Sequence, residues 1–251
     1  MRNFVLITID SLRYDVAVES NTYNFNNLMQ KYQKSGNSWH KVYAQATYTL
    51  PAHVSMFSGG KFPSNNLGVF PFDRKDSLFS HINSKNIGLF TIEENDVCVT
   101  CSFKNKGYRT IGMGSVGWFN DHYGTSKDFW LKYFNEFYYQ DNFNVKNSES
   151  FRNQILLTEK VLKNNNASLF FFINIGSTHA PYRHEERSVQ GQIKALEYVD
   201  NLIVKFIKLF SANTDFFICG DHGECFGEDD MWGHSFYHEK VMAVPACYLE
   251  I

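Results

Sequence analysis

Leu169 to Ile175 (LFFFINI) is a β-prone, largely apolar run that is too short for a buried helix and lacks an alternation of apolar and polar positions. Such a run reads as a strand covered on both faces, as in a parallel sheet packed between helices. Phe4 to Ile9 (FVLITI) and Phe216 to Cys219 (FFIC) have the same character. Parallel strands cannot be joined by tight turns, so the chain between them must cross over, most often as helix. Gln190 to Phe210 supplies one such crossover, with Ile193, Leu196, Val199 or Asp200, Ile203, Phe206, Ile207 and Phe210 at helical spacing. Ser150 to Asn164 reads as another. The expected fold class is therefore α/β, with strands 4–9, 169–175 and 216–219 parallel to one another in a central sheet flanked by helices.

The remaining segments fit that plan. Asn24 to Lys34 reads as a helix with Asn24 as its cap and Gly36 as its stop. Pro51 suits the first turn of a helix that continues through His53 to Phe57, with Thr49 upstream in the capping region. Ile87 to Ile92 and Tyr108 to Met113 look like short strands, and Val241 to Leu249, with Pro245, like a final one. Residues 115–147 are aromatic and polar without clean periodicity, an excursion that either walls a pocket or packs on the outside. No linker, internal repeat or low-complexity tail breaks the chain, so residues 1–251 are expected to form a single domain.

Lys+Arg 24 against Asp+Glu 26 gives a formal net charge of -2, a balance that points to no nucleic-acid and no membrane-surface partner. The chain opens with a strand-like run after Met1, and no apolar stretch approaches the roughly 18 residues that a membrane span needs. With five cysteines, an odd number, at 98, 101, 219, 225 and 247, the expectation is a soluble cytoplasmic protein with reduced thiols and no membrane insertion. Cys98-x-x-Cys101 is half of a zinc knuckle or a redox pair, and without a second pair at knuckle spacing it reads as structural.

Chemistry collects where the apolar runs stop. Phe216 to Cys219 ends in Gly220 and then Asp221, His222, Glu224, Glu228, Asp229, Asp230 and His234. An Asp-His pair offers a hard oxygen and an imidazole nitrogen, a mixture that suits Zn or Mn, though the same loop also reads as a solvated acidic turn. Phe4 to Ile9 runs into Asp10, and LFFFINI into His179. Thr49 places a hydroxyl at the positive end of a helix, suited to attack on an anionic ester and equally to plain capping. In an open α/β sheet, ligands sit beyond the carboxyl ends of the strands, so these residues are expected to converge.

Taken in order, the blocks resemble the alkaline phosphatase superfamily, in particular its sulfatase-like and phosphoethanolamine-transferase-like branch. Ile7-Thr8-Ile9-Asp10 resembles the opening strand and first metal ligand, and Thr49-Leu50-Pro51-Ala52-His53-Val54-Ser55 the nucleophile block. Gly176 to Tyr182 is similar to the His-x-Pro segment, and Gly220-Asp221-His222-Gly223-Glu224 with His234 to the late metal block. The resemblance implies an alkaline-phosphatase-like sandwich around a mostly parallel sheet. It also implies one or two divalent ions, Zn favoured and Mn the alternative, with Asp10, Thr49, Asp221 and His222 as ligands. His179 and His234 would lie across the pocket, binding the oxyanion, protonating the leaving group or ligating a second metal. Three departures matter. Asp10 is followed by Ser11 rather than a second acid, Thr49 cannot become the aldehyde hydrate of sulfatases, and His53 stands where sulfatases place an Arg.

The reading that follows is a metal-dependent phosphoester hydrolase or phospho-group transferase with Thr49 as nucleophile and a covalent phospho-threonine intermediate, acting on a small anionic ester. A sulfatase or a phosphonate or phosphoramidate hydrolase is the alternative chemistry, and a catalytically degenerate binding or scaffold protein the alternative of another class. His53, Lys61 and Arg13 are candidate substrate contacts, with a salt bridge as the competing use of the last two. Glu224 and Glu228 are read as orienting the late loop or bracing the metal ligands from behind, and Asp15, His40, His81, His122, His184 and His238 as surface or satisfied polar groups.

Overall fold

In the computed structural model, which describes residues 1–59, 98–120 and 126–251, the three apolar runs lie side by side as parallel strands. In chain order the strands are β1 (Asn3–Ile9), β2 (His40–Tyr43), β3 (Arg109–Met113), β4 (Glu136–Tyr138), β5 (Leu169–Ile175) and β6 (Thr214–Gly220). A small hairpin, β7 (Cys225–Phe226) and β8 (Trp232–Gly233), precedes β9 (Ala243–Glu250). The main sheet runs β2-β9-β6-β1-β5-β3-β4, with Ile7 opposite both Ile173 and Ile218. Of the described strands in it, β9 alone is reversed, pairing antiparallel with both its neighbours, β2 and β6. Pro245 falls just before Ala246, the first β9 residue paired with β6, and stands opposite Lys41 of β2, so its missing N–H removes no bond to β6. The expected strand at Ile87–Ile92 lies outside the described residues.

The helices are α1 (Tyr14–Glu19), α2 (Tyr23–Tyr32), α3 (Thr49–Phe57), α4 (Val99–Asn105), α5 (Ser126–Tyr133), α6 (Ser150–Leu162), α7 (Val189–Ile207) and α8 (Glu239–Met242). Side chains alternate across a strand, so β1 sends Val5, Ile7 and Ile9 to one face and Phe4 and Leu6 to the other. The first face packs on Val16 of α1, Met29 of α2, Ile155 of α6 and Leu196, Val199, Ile203 and Phe206 of α7. The second packs on Val54 and Phe57 of α3, Phe103 of α4 and the aromatics of the excursion. Phe57 meets Trp130, Phe134 and Phe172 edge to face at 5.7, 5.4 and 5.1 Å, so the excursion covers the helix that begins at Thr49. It also adds β4 to the edge of the sheet, a strand its mixed sequence concealed.

One expected cap is replaced. Thr22 precedes α2, and Asn24 lies inside it with its side chain turned to Asp200. The N–H groups of Asn24 and Phe25 donate to the Asp200 carboxylate at 3.0 and 2.7 Å, so α7 supplies the cap for α2. This resolves the choice between Val199 and Asp200, since both are buried, one in the core and one at a helix end. Asp200→Ala should therefore destabilise the protein by about 1–3 kcal/mol, the penalty for leaving buried donors unpaired, and Asp200→Asn by less, as read from urea unfolding.

Candidate active site

Asp10 directly follows β1, and Asp221 and His222 directly follow β6, so two adjacent parallel strands deliver three polar side chains to one point at the carboxyl edge of the sheet. Each offers a ligand atom within 4.8 Å of the others, and all three are fully buried. Thr49 joins them from α3. Its Oγ1 lies 3.4 Å from Asp10 Oδ2 and 3.3 Å from His222 Nε2. Tyr48, not Thr49, holds the cap position, and no side chain caps the helix there. The Thr49 hydroxyl is the first helical residue's and is turned toward the carboxylate and imidazole.

The cluster is held by backbone and amide groups. Asp221 Oδ1 accepts from the N–H of Ser11 at 3.0 Å and of His222 at 2.9 Å, while Oδ2 is buried without any hydrogen bond. Ser11 adopts φ 59°, the left-handed turn in which its N–H faces Asp221. Asp10 accepts from Ser11 Oγ at 3.1 Å and Asn174 Nδ2 at 3.0 Å. His222 Nδ1–H donates to the Gly223 carbonyl at 2.9 Å, which leaves Nε2 with its lone pair toward Thr49 and the carboxylates. Gly223 is required by close approach, because a Cβ there would stand 2.1 Å from the Lys240 carbonyl oxygen.

Burial, and then the neighbouring Asp10, push the Asp221 carboxyl well above its ordinary range. Two buried carboxylates, an orphaned oxygen and an imidazole lone pair make a donor set that fits a divalent cation of the Zn or Mn type.

The two other expected histidines pack next to His222. His179 and His234 have ring centroids 5.7 Å apart, and His234 is 4.5 Å from His222. His179 Nδ1–H donates to the Ala180 carbonyl at 2.7 Å. His234 Nδ1 is buried without a hydrogen bond, and burial, then His222, His179 and Arg187, hold its pKa well below the usual value. His53 sits behind Thr49 rather than at an open surface: Nδ1–H donates to the Thr49 carbonyl at 2.7 Å and Nε2 meets the Thr8 hydroxyl at 2.8 Å. Burial pushes it down to about 4, so it is neutral at pH 7. The Arg13 guanidinium, almost wholly buried, is engaged by Asp15 and Glu228. Lys61 lies outside the described residues.

One supporting residue escaped the sequence reading, and the partners of another, Glu224, were not legible in it. Asn174 is the polar residue within LFFFINI, and its amide holds Asp10 while its oxygen accepts from Ser115 Oγ at 2.8 Å. An amide in a strand buried on both faces is the signal that marks it. Glu224 accepts from the buried Tyr182 hydroxyl and lies 3.5 Å from Arg187 and 3.9 Å from His234, pairings that no local pattern announces.

With this geometry in view, the comparisons are specific. The family model described as Sulfatase matches residues 2–245. The C-terminal periplasmic domain of phosphoethanolamine transferase EptC from Campylobacter jejuni is similar, with a TM-score of 0.62 at 14% identity over 98% of this chain and 78% of that one. An alkaline phosphatase superfamily protein from Vibrio parahaemolyticus gives 0.62 at 15% identity over 99% and 60%. The corresponding EptC domain from Escherichia coli, in complex with Zn, gives 0.61 at 14% identity over 99% and 72%. No curated protein matches by sequence. The mostly parallel sheet flanked by helices is thus an alkaline-phosphatase-like fold.

The expectation of a cytoplasmic protein with reduced thiols is corrected. The similar EptC structures are periplasmic domains, and Cys98 and Cys101 are paired as a disulfide instead of being reduced. Cys219, Cys225 and Cys247 are free and buried. Among the described residues no helix is long and apolar enough to cross a membrane.

If Asp10 and Asp221 repel in the metal-free protein, Asp221→Asn should raise its melting temperature while abolishing the further rise that zinc gives the wild type. A lower metal-free melting temperature with zinc stabilisation intact would refute this assignment.

Proposed function

The chain belongs to the sulfatase family, and from that premise we propose that it is a metal-dependent phosphoester hydrolase or phospho-group transferase with Thr49 as nucleophile. The observation that carries this reading is the placement of Thr49 Oγ1, 3.4 Å from Asp10 Oδ2 and 3.3 Å from His222 Nε2, at the start of a helix it does not cap. Asp10, Thr49, Asp221 and His222 would hold the ion, Zn favoured by the imidazole and by the donor set. The chemistry the ion supplies is to favour the ionised threonine hydroxyl and to offset the charge on the phosphoryl group.

The residues of the chain divide the remaining work. Thr49 Oγ1 forms a bond to phosphorus as the bond to the alcohol leaving group breaks, giving phospho-threonine. His53 fixes the Thr49 carbonyl through Nδ1–H and so holds the first turn of α3 in register with the carboxylates. His179 and His234, whose rings lie 5.7 Å apart with His234 4.5 Å from His222, would bind a phosphoryl oxygen, or in the imidazolium form protonate the departing alkoxide. Water or an acceptor alcohol then attacks phosphorus, and Thr49 leaves. The fully buried cluster excludes bulk water, which strengthens each of these contacts.

Sulfate esters are the second substrate class, favoured by the family's description. Thr49 is incompatible with the aldehyde chemistry of that class, and a phosphoester is therefore the first choice. A soluble scaffold would retain neither zinc nor activity on an aryl phosphate.

Thr49→Ala should keep the fold and the remaining three ligands yet lose turnover of p-nitrophenyl phosphate by several orders of magnitude, with Thr49→Ser retaining part of it and Thr49→Val none. A rapid acid quench should leave a phosphate adduct on the peptide containing Thr49. Near-normal rates in the alanine and valine variants would mean that water attacks phosphorus directly.

A further inference from the structure

β1 and β5 pair in register up to Ile9 and Ile175, and the ladder closes with the Asp10 N–H donating to the Ile175 carbonyl at 2.9 Å. Beyond it the sheet no longer sets the spacing between Asp10 and Ser11 on one side and Thr178 and His179 on the other. Ser11 also stands in a left-handed conformation, φ 59°, which a residue other than glycine keeps only where its surroundings hold it. The Thr178 hydroxyl ties the two segments by donating to the Asp10 carbonyl at 2.6 Å. A second tie comes from one side chain of α7, Gln192.

Gln192 is wholly buried, and its amide is spent on the backbone of these two segments. Nε2 donates to the Ser11 carbonyl at 2.8 Å and to the Thr178 carbonyl at 3.1 Å, while Oε1 accepts from the Arg13 N–H at 3.4 Å. Two carbonyls and one N–H fit the amide in one orientation only. Along α7 the residue stands one turn before Leu196 and two before Val199, on the face that fills the core. An apolar side chain would serve packing there, and an amide costs free energy unless it is bonded. The start of the helix is itself pinned to the loop that follows His179. Ser188 Oγ accepts from the Gly191 N–H at 3.1 Å, and a Cβ at Gly191 would stand 1.9 Å from the Glu186 carbonyl oxygen.

Gln154 of α6 shows the contrast. It is equally buried, yet its Nε2 donates to one carbonyl, that of Asn174 within β5, and its Oε1 has no partner. The partners of Gln192 lie instead one residue past Asp10 and one residue before His179. Because the Ser11 and Thr178 carbonyls share the two hydrogens of a single Nε2, the two segments cannot separate without breaking a bond. We infer that Gln192 is a positioning residue of the site. Its amide clamps the segment carrying Asp10 to the segment carrying His179, and it holds Ser11 in the turn from which the N–H reaches Asp221 and the hydroxyl reaches Asp10. The clamp is a matter of geometry; its effect on turnover rests on the function proposed above.

The test separates the two. Amide hydrogen exchange, read by NMR on metal-free protein, compares the N–H groups of Ser11 and His179 with that of Ile173 in the middle of β5. Gln192→Met keeps the volume and removes all three hydrogen bonds. It should speed exchange at Ser11 and His179 about fivefold to a hundredfold beyond any change at Ile173, the worth of buried carbonyls left without a donor. Gln192→Glu keeps the acceptor for Arg13 and, when protonated, one donor; it should fall between, and it carries the comparison if the methionine variant does not fold. With zinc at saturation, Gln192→Met should lower kcat for p-nitrophenyl phosphate about tenfold to a hundredfold and change KM less than about twofold. Asp200→Ala, which loosens the other end of the same helix, should leave kcat unchanged. Exchange that rises no more at Ser11 and His179 than at Ile173 overturns the inference, as does selective loosening with kcat intact. Selective loosening in a protein whose wild type turns over no phosphate ester leaves the clamp standing and refutes the proposed function.

Discussion

Two carboxylates, Asp10 and Asp221, stand together out of reach of water, and the rest of the site follows from that juxtaposition. Like unit charges about 4 Å apart repel by roughly 4 kcal/mol even at an effective dielectric near 20. The backbone N–H groups of Ser11 and His222 and the Asn174 amide offset part of this, but they leave Asp221 Oδ2 without a partner. A buried oxygen with nothing to accept from, beside a second carboxylate and an imidazole lone pair, is a site whose natural complement is a cation.

The parallel sheet is what makes such crowding achievable. β1 and β6 are neighbours in register, so residues one and two positions past their ends emerge side by side without any long-range adjustment. Both faces of these strands are covered by apolar side chains, which keeps the edge dry. On one face the cover includes α3, anchored by Phe57 among Trp130, Phe134 and Phe172, so the packing that fills the core also aims Thr49. His53 completes the link. It is a neutral ring held by Thr8 of β1 on one side and the Thr49 carbonyl on the other, joining helix to strand directly behind the hydroxyl.

Much of this was legible in the sequence because it rests on local rules. LFFFINI, FVLITI and FFIC announced their own burial, and the polar residues just past them announced the edge at which they meet. What stayed hidden depends on partners far apart in the chain. Asp200 caps a helix some 176 residues away, a pairing that outcompetes the local choice of Asn24. Asn174 braces Asp10 from a separation of 164 residues, and Glu224 gathers Tyr182 and Arg187. β4 escaped because a three-residue edge strand carries too little periodicity to register. The expectation of reduced thiols failed for a different reason, since cysteine count alone is silent on whether Cys98 and Cys101 pair.

The most direct measurement is anomalous diffraction at the zinc edge from crystals of the protein grown with zinc. A single strong peak is expected within about 2.0–2.2 Å of Asp221 Oδ2, His222 Nε2, an Asp10 carboxylate oxygen and Thr49 Oγ1, the distances of zinc to oxygen and nitrogen ligands. A folded protein whose zinc binds elsewhere, or binds there with Thr49 turned away toward the helix backbone, would contradict the assignment of this cluster as a metal centre that activates a threonine.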